Sequence, residues 1–171
     1  RLDDRFRLLT GGSRTALPRQ RTLRAVVAWS WDLLTDDERW LAERLAVFPS
    51  TVTPESAGAS DVLDALVDKS LLQVVGDGRY RMLETIREYG LERLAEAGAV
   101  ADAQAAHTAY FLRLLEEADA HLRTSGQLPW LRLLDAEREN IYGALQFACD
   151  AGDADRALRI GALLLMPLAV R

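Results

Sequence analysis

The residues able to do chemistry are few, and their spacing works against a reactive site. The single lysine, Lys69, stands in Val67-Asp68-Lys69-Ser70. A phosphate-binding loop needs G-x-x-x-x-G-K-[ST], because glycine amides and a lysine must surround the phosphates. Asp68 occupies a position where that loop needs glycine, and a carboxylate there repels phosphate. The apolar run ending in aspartate that would hold Mg²⁺ is missing as well. His107 and His121 lie fourteen residues apart on one predicted helix. That is about 21 Å at the helical rise, too far to share a metal. Both are expected at surface or groove positions. Asp36-Asp37-Glu38 resembles a carboxylate cluster, yet helix capping accounts for it. Cys149 is the only cysteine, which excludes an intrachain disulfide and argues against a cysteine-based zinc site. The expectation is a chain that is not an enzyme, with no catalytic residues, no metal site and no cofactor of its own.

Composition bounds the rest. The chain has 171 residues, 21 basic and 26 acidic, with a net charge of −5. Hydrophobic residues make up 49%, too many for a disordered chain. A chain of this length buries roughly 70% of its unfolded surface, enough for one large core or two small ones. The charge is uneven: residues 1–30 carry +5, residues 31–98 carry −7 and residues 99–171 carry −3. The acidic balance disfavours a chain that grips polyanions along its length. The longest apolar run, Ile160 to Val170, is interrupted by Gly161 and Pro167 and is too short to span a bilayer. The first residues offer neither a methionine nor an apolar signal core. The expectation is a cytoplasmic segment of a longer protein, with no membrane partner.

Hydrophobic spacing supplies the elements. Leu2, Phe6 and Leu9 suit a first helix, and residues 11–21 read as a basic loop around Pro18. Thr22 is the expected N-cap of a helix over 23–34, with a stripe of Leu23, Val26, Val27, Trp31 and Leu34. Thr35-Asp36-Asp37-Glu38 is a capping box that starts the next helix, which runs to about Val47 and is expected to bury Trp40, Leu41 and Leu45. Thr53-Pro54 starts one short turn that Gly58 ends. Ser60 is the expected cap of a helix over 61–70. The period then changes to two, with strands at 72–75 and 79–83 joined by Gly76-Asp77-Gly78. Helices are expected over 84–97, 102–122, 129–150 and 154–166, divided by Gly98, Thr124-Ser125-Gly126 and Ala151-Gly152-Asp153. Trp29, Trp31, Trp40 and Trp130 are expected as core or interface anchors, and Asp135, Glu137 and Glu139 as a solvated helix face.

This order predicts a mainly α fold. Helices followed by a two-stranded wing make a winged helix-turn-helix with one β-hairpin, and a tetratricopeptide-like array of α-helical hairpins follows. The helix that would enter a DNA groove, over 60–70, carries Asp61, Asp64 and Asp68 against Lys69. Phosphate contacts need cations. The favoured reading is therefore a winged helix that packs on a protein. The alternative is a stand-alone DNA-binding winged-helix protein with a helical dimerisation arm.

Several stretches carry a family resemblance: Arg1-Leu2-Asp3-Asp4-Arg5-Phe6-Arg7-Leu8-Leu9, Leu17-Pro18-Arg19-Gln20-Arg21-Thr22-Leu23 and Trp29-Ser30-Trp31-Asp32-Leu33-Leu34. Leu66-Val67-Asp68-Lys69-Ser70-Leu71-Leu72 and Tyr80-Arg81-Met82-Leu83-Glu84-Thr85-Ile86-Arg87-Glu88-Tyr89 continue it. The chain resembles bacterial STAND-class transcriptional regulators, which are ATPases related to the NB-ARC proteins and include antibiotic-regulatory and LuxR-like kinds. The resemblance implies three parts: residues 1–19 as the end of an ATPase lid and linker, 20–98 as the winged helix, and 99–171 as the start of the tetratricopeptide-like array. It implies ATP or ADP in the full-length protein, held by an upstream nucleotide-binding domain on which the winged helix packs. It also implies a signal ligand or protein on the array, and DNA contact only through a separate effector domain. The family's Met-His-Asp motif matches Met82-Leu83-Glu84, so the resemblance puts Arg79, Arg81, Met82, Leu83 and Glu84 near the nucleotide. Leu83 departs from the motif's histidine and cannot donate a hydrogen bond.

Overall fold

The computed structural model describes residues 16–169. The helix expected over residues 2–9 lies outside them. The described residues are mainly helical with one antiparallel hairpin, as expected.

Helix α1 spans Ala16–Asp32 and starts earlier than the sequence suggests. Pro18 falls in its first turn, where a missing N–H costs nothing because that group has no partner inside the helix. Thr22 is therefore interior and not an N-cap. Val27 and Trp31 are buried, and Leu34 just beyond the helix joins them, but Leu23 and Val26 face solvent. The expected stripe is wider than the surface that covers it. Arg24 reaches across to Glu92 with two hydrogen bonds of 2.9 and 2.5 Å.

Helix α2 spans Asp36–Leu45 and opens with the expected capping box. Glu38 N donates to Thr35 Oγ1 at 3.3 Å, and Thr35 N donates to Glu38 Oε2 at 2.7 Å. Such a cap contributes about 1 kcal/mol. Leu41, Ala42 and Leu45 are buried; Trp40, expected inside, is 56% exposed. It sits one helical step from the buried face, with Arg44 stacked 4.6 Å from its ring centroid. Val47 and Phe48 are buried in the turn that follows.

Helix α3 is a single turn, Pro54–Ala57, that Gly58 ends with φ +74°. Helix α4 spans Ser60–Asp68 and buries Leu63 and Leu66. Ala59 holds its N-cap position without a side-chain bond, so Ser60 is not the cap. The Ser60 hydroxyl instead donates to Asp61 at 3.4 Å.

Strands β1 (Leu72–Gly76) and β2 (Arg79–Met82) pair antiparallel, Leu72 opposite Met82 and Val74 opposite Tyr80. The register shifts between Val74 and Gly76. Gly76, Asp77 and Gly78 all have positive φ, which the two glycines accept without strain. Val52 forms an isolated antiparallel bridge on the other side of β2 through reciprocal bonds with Tyr80 of 2.8 and 2.9 Å.

Helix α5, Glu84–Glu96, packs Ile86, Tyr89, Gly90 and Leu94 against α1 and α2. A Cβ on Gly90 would stand 2.9 Å from Ala46 Cβ and 3.0 Å from Trp31 Cη2, so glycine sets how closely α5 approaches α2. Helices α6 (Val100–Leu122), α7 (Gln127–Ala136), α8 (Arg138–Asp150) and α9 (Ala154–Ala169) complete the chain. The single helix expected over 129–150 is two, separated at Glu137 (φ −94°, ψ 3°). Helices α6, α8 and α9 pack on one another, and one apolar core runs from α1 through to α9. No described helix is long and apolar enough to cross a membrane.

Candidate functional site

The segment 49–53 leaves the turn after α2 and runs across the faces of α6 and α8. With Phe48 before it, this segment sets Phe48 and Pro49 against the helices of the array. A Cβ on Gly143 would meet Pro49 Cγ at 2.9 Å, so the absent side chain is what lets Pro49 sit on α8. Phe48 packs on His107, with ring centroids 4.6 Å apart, and on Phe111 at 6.0 Å.

His107 is 3% exposed, not at the surface or in a groove as expected. Its ring also meets Phe111 at 4.6 Å and Phe147 at 5.3 Å. Neither ring nitrogen has a hydrogen-bond partner. Burial pushes its pKa down to about 4, so the imidazole is neutral at pH 7.

Beside this aromatic cage lies a buried polar network. Asn140 is fully buried; its amide donates to Thr51 O at 2.8 Å and to Glu137 Oε2 at 2.7 Å, and its Oδ1 accepts from Ser50 N at 3.3 Å. Arg79 Nε, on β2, donates to Thr51 Oγ1 at 2.7 Å. Arg79 Nη2 lies 2.7 Å from Glu137 Oε1, an ion-pair contact that is not aligned along an N–H bond. Glu137 is therefore buried and paired with the wing, where the sequence suggested a solvated face. The helix break at Glu137 and the wing strand meet at one ion pair.

The positions singled out at the end of the wing go different ways. Arg79 is committed to this network, and Met82 turns into the core. Arg81 and Leu83 are exposed. Glu84 pairs with Arg87 at 2.8 Å. Sequence reasoning missed His107, Glu137, Asn140 and Thr51 as a set. Only the Asn and His within apolar helices hinted at buried polar groups.

The outer face of α4 presents Asp61, Asp64 and Asp68 to solvent. Asp64 accepts from the Tyr80 hydroxyl at 3.1 Å. Lys69 Nζ lies 2.5 Å from Glu38 Oε2. That ammonium, helped by the Thr35 amide, holds the Glu38 carboxyl below its ordinary value. The cation nearest to α4 is thus already neutralised. Leu23, Val26 and Trp29 on α1, with Leu33 just beyond its end, stay exposed, Trp29 at 66%. No cluster of potential metal ligands occurs among the described residues.

No protein-family profile matches the chain, and no solved structure matches it. Among curated proteins it is similar to those named "Putative HTH-type transcriptional regulator" in Mycobacterium tuberculosis and Mycobacterium bovis. It is 39% identical to each over 181 residues, an alignment that takes in 95% of this chain and 20% of the relative. It is also 39% identical over 113 residues to an uncharacterized protein of Mycobacterium tuberculosis, across 57% of this chain and 29% of that one. The chain spans about a fifth of the length of the regulators it matches.

Proposed function

We propose that the chain is a non-catalytic regulatory segment of a transcription regulator, in which the winged helix serves as a protein-docking module. The observation that carries this is the state of its cations. Lys69 is held by Glu38 and Arg79 by Glu137, while α4 offers three exposed carboxylates. An α4 face so arranged repels phosphates, while Arg81 stays exposed on the wing. The exposed apolar side of α1 is instead suited to a protein partner. The similarity to long HTH-type regulators supports the regulatory setting.

In its finer form the proposal follows the STAND resemblance. The winged helix packs on an upstream nucleotide-binding domain that holds ATP or ADP, the helical array receives a signal, and DNA is contacted by a separate effector domain. The signal shifts the balance between closed and open forms by binding one of them better. Calorimetric titration of ADP tests this. The intact protein is expected to bind ADP and residues 1–171 alone are expected not to. Binding by the isolated segment, or none by the intact protein, overturns it.

A second reading is favoured by one observation, the "HTH-type" name of the similar regulators. In that reading this winged helix is itself the DNA reader and the array is a dimerisation arm. Duplex binding that weakens steeply with salt would select it.

A further inference from the structure

One cleft opens on the array away from the wing junction, where α6, the end of α8 and the start of α9 meet. Its volume is about 280 Å³, close to the lower end for small-ligand sites. Phe147 and small residues such as Ala105 and Ala148 form an apolar lining, and Gln104, Asp150, Asp153 and Arg156 add polar groups. The charges there do not cancel. Arg156 is taken by Asp153, through an ion pair at 3.3 Å and a backbone bond at 3.1 Å. Asp150 accepts from the Gln146 amide at 2.8 Å, and no cation among the described residues lies within ion-pair range of it. An aromatic ring, an apolar lining and one uncompensated carboxylate suit an organic cation.

We propose that this cleft binds a small organic ammonium ion, its charge set against Asp150 and its apolar body against Phe147, and that occupancy is felt at the wing junction through the Phe147–His107–Phe48 stack. The second half deepens the reading of the array as a signal receiver and rests on it. Phe147 is shared by both sites: it lines the cleft and lies 5.3 Å from His107, which lies 4.6 Å from Phe48. A ligand that presses on the Phe147 ring therefore acts on the contact that seats segment 49–53.

The test is an NMR titration of residues 1–171 with 2-phenylethylammonium, with 2-phenylethanol and phenylacetate as neutral and anionic matches. Saturable shifts at Gln104, Ala105, Phe147 and Asp150, accompanied by a shift of the His107 ring protons, are expected for the ammonium ion. Asp150→Asn, at an exposed position, should weaken binding about fivefold, the scale of one exposed ion pair. Ala105→Leu should block the cleft from its rim without touching the core. Equal binding of phenylacetate, unchanged affinity in Asp150→Asn, or no saturable shift would overturn the site. Shifts confined to the rim, with His107 unmoved, would overturn the coupling. Neither DNA nor nucleotide is present, so failure here is distinct from failure of the regulatory reading.

Discussion

An imidazole surrounded by Phe48, Phe111 and Phe147, with no acceptor for either nitrogen, cannot take up a proton at low cost. Its pKa of about 4 lies below the ordinary 6.5. Between those values the unfolded chain binds a proton that the folded chain refuses. The contribution is complete above pH 6.5 and is lost as the pH falls towards 4, about 3 kcal/mol over the whole window. Denaturation midpoints measured from pH 7 to pH 4 should fall accordingly. His107→Phe or His107→Leu should flatten that part of the profile; an unchanged slope would remove His107 as the cause. Glu38 acts lower on the scale. Lys69 and the Thr35 amide depress its pKa, so its contribution is present above the ordinary carboxylate value and disappears as the pH drops through the depressed one. At the junction, Glu137→Ala leaves the largely buried Arg79 charge without its carboxylate and removes one of Asn140's bonds, and should cost roughly 3 kcal/mol in chemical denaturation. Arg79→Met combined with Glu137→Leu should recover part of that loss. A single variant within ~0.5 kcal/mol of the parent would mean that the pair contributes little.

At the scale of elements, close approach is set by glycines at two crossings. Gly90→Ala brings a methyl within 3.0 Å of Ala46 and Trp31. The helix gains up to about 1 kcal/mol of propensity, and overpacking costs about 1–3 kcal/mol. The expected outcome is a net loss of stability in thermal unfolding; a gain would mean that α5 can move outward freely. Gly143→Ala presses on Pro49 in the same way, but at the seat between the winged helix and the array. Hydrogen exchange should then rise in 49–53 before it rises in α2. The local signals in the chain were strong where they were chemical. The Thr35–Glu38 box, the Gly76-Asp77-Gly78 turn and the Gly58 stop each appear where their residue types demand. Errors came where a local rule had to yield. Pro18 looked like a breaker, yet it sits in a first turn. The break at Glu137 has no glycine or proline to announce it, because the cause is a partner on β2 far away in sequence. Leu23 and Val26 of the expected α1 stripe stay exposed, because spacing does not say how wide a face the neighbouring helix will cover.

For the whole molecule, the winged helix and the array share one core and are fastened by the aromatic cage and the polar network. The site was the least legible part of the chain. A buried ion pair between residues 79 and 137 depends on a fold that brings a wing to a helix break, and no periodicity encodes that. The acidic character of α4 was legible, since three aspartates at helical spacing need no tertiary context. That α4 has no unpaired cation beside it also required Lys69 to be taken by Glu38, which no local pattern announces. The most direct test is fluorescence anisotropy of labelled duplex DNA titrated with residues 1–171 at 50 and at 200 mM salt. The account predicts no saturation below about 100 μM at either concentration, the weak end of non-specific binding. Micromolar or tighter binding at 50 mM that falls by orders of magnitude at 200 mM would contradict it.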